Sequence, residues 1–118
     1  MRYHKRVMFI VQAGALGSTG TIDFLVYGDS AAAMGTEVAL TGKAITQLTE
    51  AGTDSDKQAI VEVTAEEVAS QIVGGRYIRG KMAVLVATSD AGMIALADHS
   101  RYAPASVYDL ASVDEIVA

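Results

Sequence analysis

Apolar positions along the chain fall in short runs separated by glycine and small polar residues, a spacing that predicts strands and turns rather than long amphipathic helices. In Lys5–Ala13, Val7, Phe9 and Val11 take one face while Met8 and Ile10 take the other, so both faces are apolar and the strand is expected to lie centrally or against a partner. Gly14–Gly20 is a turn-rich linker into Thr21–Tyr27, where Ile22, Phe24 and Val26 alternate with Thr21, Asp23, Leu25 and Tyr27; the two strands read as a hairpin. A small-residue loop, Gly28–Gly35, then leads to short β-like stretches at Glu37–Leu40 and Ala44–Leu48. Beyond a polar loop, Glu50–Lys57, a strand at Gln58–Val63 turns Ala59, Val61 and Val63 inward. Thr64-Ala65-Glu66-Glu67 has the form of a capping box and opens a short helix ending near Gln71.

The longest predicted strand, Arg76–Ala87, sets Tyr77, Arg79 and Lys81 against Ile78 and Met82 in its first half and is continuously apolar in its second, as if running from an exposed edge into a core. Ser89–Gly92 is expected to turn it into a second hairpin with Met93–Ala97. After Pro104 the alternation fails, and Leu110, Val113, Ile116 and Val117 stand at helical spacing, although an extended arm fits equally. Roughly seven short strands and one minor helix predict an all-β fold, an antiparallel β-sandwich of the jelly-roll or immunoglobulin kind. The sandwich is expected over residues 1–104, with 105–118 as a C-terminal arm or short helix.

Composition narrows the partners more than the fold. The chain has 118 residues, and a net charge of −5 disfavours a nucleic-acid coat or a polybasic membrane binder. No apolar run approaches a membrane span, and Met1–Arg6 leads into too short a run for a signal peptide. The absence of cysteine excludes a disulfide framework and thiolate metal sites.

Candidate chemistry is sparse. The glycines from Gly14 to Gly20 follow a strand, yet no Gly-Lys-Ser/Thr and no helix comes next, so a phosphate cradle is not expected. Asp98-His99-Ser100 holds the residue types of a hydrolase triad, but consecutive strand residues point to opposite faces. Asp54 and Asp56 have the spacing that begins a Ca²⁺ loop without its later glycine and glutamate. We therefore expect no enzyme activity, no cofactor and no metal. Two charged clusters and an apolar tail fit protein contacts instead. They are the basic start with Arg2, His4, Lys5 and Arg6, the group Arg76, Tyr77 and Arg79, and the tail residues Tyr102, Tyr108, Leu110, Val113, Ile116 and Val117. The basic start has a possible counterpart in Asp109, Asp114 and Glu115 of a neighbouring copy.

Three segments carry a family resemblance: Thr41–Thr49, Thr53–Ala59, and Arg101–Ser106 with Asp109–Val117. Together they resemble small proteins encoded among the head-structure genes of tailed bacteriophages. The resemblance implies a virion structural role, with a capsid decoration or cement protein on the phage head as the first expectation. Its partners would be the major capsid protein and copies of itself, as a homo-oligomer (dimer or trimer), with no nucleic acid and no membrane. A head-completion or tail-connector component is the alternative within that class. A host-surface carbohydrate-binding sandwich is the alternative outside it, although aromatics make up only 6% of the chain and tryptophan is absent.

Overall fold

The computed structural model describes residues 4–98 and 113–117. Among them lie eight strands and one helix: β1 (Arg6–Ala13), β2 (Thr21–Asp29), β3 (Val38–Ala44), β4 (Leu48–Thr49), β5 (Gln58–Thr64), α1 (Ala65–Gln71), β6 (Tyr77–Leu85), β7 (Ala91–Asp98) and β8 (Val113–Val117). They form two packed sheets, so the expected all-β sandwich is the observed fold. One sheet has the order β7-β1-β5-β8; in the other, β2 is flanked by β6 on one side and by β3 and β4 on the other.

Alternation explains the core. Val7, Phe9, Val11 and Ala13 of β1 face Ile22, Phe24 and Val26 of β2 across the layer, joined by Ala59, Val61 and Val63 of β5. At the centre the Phe9 and Phe24 rings meet with centroids 5.4 Å apart at 49°, a tilted pair. A Cβ on Gly80 of β6 would stand 2.7 Å from the Phe24 ring and 3.0 Å from that of Phe9, so the aromatic pair occupies the space a side chain would need. Leu40, Leu48 and Val68 fill the remaining core.

Both expected hairpins are corrected. β1 pairs with β5 and β7, and β2 pairs with β3, β4 and β6, so the Gly14–Gly20 linker crosses between sheets. β6 and β7 likewise lie in different sheets. The physical reason is reach: sheets pack about 10 Å apart, and both connections are long enough to span that gap instead of closing a tight turn. The two crossings lie against each other. The Gly14 amide donates to the Asp90 carbonyl (2.8 Å), the Asp90 amide to the Ala15 carbonyl (3.0 Å), and the Gly17 amide to the Ser89 hydroxyl (3.0 Å). A Cβ on Gly17 would come within 2.5 Å of the Thr88 carbonyl, so close backbone approach accounts for a glycine there.

The helix forms as expected. Thr64 caps α1, its side chain accepting from the Glu67 amide while the Glu67 carboxylate accepts from the Thr64 amide. Lys43 is 3% exposed and reaches from β3 to the Glu62 carbonyl (2.8 Å) and the Glu67 carboxylate (2.9 Å), closing the side of the sandwich beside the helix.

β8 is the other departure. Val113–Val117 forms a strand parallel to β5, with neither the helical reading nor a free arm holding over those residues. Val117 packs on the core, Asp114 meets Lys57 at 3.0 Å, and Glu115 accepts from the amide and hydroxyl of Thr46. Helical spacing of four apolar residues was outweighed by an open sheet edge that satisfies the strand's backbone groups.

Candidate functional site

The first sheet is apolar on both faces. Registers Met8↔Leu96, Ile10↔Ile94 and Ile10↔Ile60 set these five side chains together on the face turned away from the core. Met8 and Ile10 are half-buried, Ile60 is buried outside the core cluster, and Ile94 and Leu96 are each 47% exposed. An antiparallel sheet with one wetted face normally alternates apolar with polar residues. Here the polar residues stand at the margins. Arg6 pairs with Glu62 at 3.0 Å at one end, and Gln12 stands opposite Gln58 at the other.

The sandwich is also open along one side. Met93, Ala95 and Ala97 of β7 share the face of Val11, Phe9 and Val7, which is the core face, yet all three are exposed. Across the layer, Val84 of β6, opposite core-facing Ile22, is 40% exposed, and Leu85 on the other face of that strand is 48% exposed. The apolar second half of the long strand therefore meets solvent, whereas Ile78 and Met82 in its first half pack on the core, the reverse of the expectation. The reason lies in the crossing at Val86, which turns the chain out of one sheet and toward the other just where the apolar run continues.

The charged clusters are paired in part inside the chain. Arg79 pairs with Glu37 at 3.2 Å; Lys81 contacts the same carboxylate and lies 4.4 Å from the centre of the Tyr27 ring. Arg76 and Tyr77 are exposed. Of the basic start, His4 and Lys5 are exposed and Arg6 is engaged by Glu62, while Arg2 lies outside the described residues. Tyr102, Tyr108 and Leu110 also lie outside them, as do Asp109, His99 and Ser100. Val113 and Ile116 belong to β8. Among the described residues, the nominated basic start lies at the beginning of β1 and Arg76, Tyr77 and Arg79 at the beginning of β6, in different sheets. The face the structure does assemble, from Met8, Ile10, Ile60, Ile94 and Leu96, was signalled only by the two-sided apolar pattern of β1 and the uncharged run Ala91–Ala97.

Buried carboxylates serve the scaffold. Asp29, 2% exposed, accepts from the Ala31 amide (3.1 Å) and from the amide (2.8 Å) and hydroxyl of Thr36, stapling the loop between β2 and β3. Those hydrogen bonds, led by Ala31 and then Thr36, outweigh burial and hold its carboxyl below the ordinary value. Burial pushes Glu67 upward, but the Thr64 amide, the Lys43 ammonium and the Thr64 hydroxyl together overcome it and leave this carboxyl low as well. Asp54 accepts from the Thr49 amide at 2.9 Å and meets Lys57 at 3.4 Å, a loop staple with an internal cation.

Among the described residues no group of three or more histidine, aspartate and glutamate side chains is placed to hold a metal ion, and no helix is long and apolar enough to cross a membrane. No protein-family model, no curated protein and no solved structure matches the chain.

Proposed function

We propose that this protein is a virion structural protein of a tailed-phage head, a capsid decoration or cement protein that binds the major capsid lattice and copies of itself. The observation that carries the reading is the apolar outer face of the β7-β1-β5-β8 sheet, which offers a preformed contact surface on a rigid scaffold. The resemblance to head-cluster proteins supplies the partner class. Contacts of this kind need no chemistry, and their effect multiplies because many copies act on one shell. A head-completion or connector role would use the same face against a different ring of subunits.

The test is co-sedimentation of the purified chain with heads assembled from the capsid protein of the phage that encodes it, and with heads challenged by heat. Wild type should saturate the shell and raise its melting temperature, while Ile10→Lys should remain folded and bind at least about tenfold more weakly, from loss of an apolar contact and burial of a charge. Failure of the wild-type chain to sediment with heads would remove the reading.

A further inference from the structure

Sheets protect their edges with charge, proline, bulges or short length, because an open row of amides and carbonyls recruits other strands. Four of the edges here are protected in that way. β6 carries Arg79 and Lys81, β8 carries Asp114 and Glu115, β3 has a register shift against β2, and β4 is two residues long. Among the described residues β7 has none of these devices. Its pairing with β1 runs without a shift from Arg6↔Asp98 to Ala13↔Ala91, and from Ala91 to Ala97 it contains no charge and no proline.

The chemistry of the strand also restricts its occupant. Both lines of β7 are apolar: Ile94 and Leu96 on the outer face, Met93, Ala95 and Ala97 on the line facing the open side of the sandwich. A strand added at this edge must therefore be apolar on both of its own faces, and β7 itself meets that requirement. We propose that β7 is a self-complementary edge through which two copies of this chain pair antiparallel across a two-fold axis, joining their two β7-β1-β5-β8 sheets into one.

A register follows from the side chains. With Ala95 opposite Ala95 of the second copy, each Ile94 falls opposite a Leu96 on the outer face, and each Met93 opposite the small Ala97 on the other, so large residues meet on one side and large meets small on the other. Antiparallel pairing also swaps the ends of the sheets. The paired sheets extend the apolar outer face across the axis. This inference deepens the self-association part of the proposed function and requires nothing of a capsid.

The chain has no cysteine, so a single introduced thiol reports unambiguously. Opposed strand residues lie about 4.5 to 5.5 Å apart between Cα atoms, within the range a disulfide accepts. Ala95→Cys should therefore form a covalent dimer under mild oxidation on the order of a hundredfold faster than Ala69→Cys, a control on the exposed face of α1. Light scattering of the wild-type chain should give twice the 12.3 kDa of one chain, and the double variant Ile94→Lys, Leu96→Lys should give one folded chain whose melting temperature no longer depends on protein concentration, as that of the wild type should. A wild-type mass of one chain at concentrations up to about 1 mM would overturn the inference. So would equal cross-linking at Ala95→Cys and Ala69→Cys, or a trimer, because a two-fold edge closes at two copies. Rapid cross-linking without head binding would remove only the functional reading; head binding with a monomeric, slowly cross-linking chain would remove only this one.

Discussion

Val86 sits at φ +72°, a conformation rarely adopted by a β-branched residue, with the Ala87 amide donating to the Leu85 carbonyl (2.9 Å) around it and the side chain 78% exposed. Nothing in the core uses its methyl groups. Val86→Gly should therefore raise stability by about 1 kcal/mol, relief of strain being partly offset by the flexibility of glycine in the unfolded chain, as read by chemical denaturation. Gly80 is the opposite case. Gly80→Ala should cost about 1–3 kcal/mol by the same measurement, because the new methyl group must displace the Phe9–Phe24 pair from a packed core. The low carboxyls make a pH prediction. Asp29 and Glu67 hold their protons less tightly folded than unfolded, so their contribution is fully present above the ordinary carboxylate range and is lost as pH falls through the lower folded values. Melting temperature should drop between about pH 4 and about pH 2, and the gap between wild type and Glu67→Gln should narrow over that interval. A gap that widened in acid would contradict the low Glu67 carboxyl.

The short helix was fully legible beforehand, because a capping box is a local device whose two hydrogen bonds span only three residues. Thr64→Ala should lower stability by about 1 kcal/mol and raise hydrogen exchange in α1 ahead of the sheets. β1, β2 and β5 were legible for a similar reason, since strict alternation such as Ile22, Phe24 and Val26 records which face is buried. Their partners were not. A seven-residue glycine linker is compatible with a loose hairpin and with a crossing between sheets, and the decision came from Thr88, Ser89 and Asp90, distant in sequence, docking on the glycines. The same limit applied to β8, whose apolar spacing suited a helix until the free edge of β5 was available to it.

At the level of assembly, β8 changes what a truncation means. Removing residues 113–118 takes away a strand of the sheet, together with the Lys57–Asp114 and Thr46–Glu115 contacts, so the shortened chain should denature at lower denaturant concentration as well as lose any binding. Surface substitutions such as Ile10→Lys separate folding from contact better than truncation does. The candidate surface itself was half legible. Apolar residues on both faces of β1 signalled contact, but the joining of Met8 and Ile10 with Ile94 and Leu96 depended on β7 pairing with β1 instead of with β6. Composition, alternation and the capping box determined the all-β class, the inward residues of the central strands and the helix, since each is a property of neighbours within a few positions. Which sheet each strand joins and, among the described residues, which apolar face is left toward water and which edge has no partner were decided only on folding. Those outcomes depend on competition among distant segments for the same hydrogen-bonding edges, and no local pattern encodes the winner.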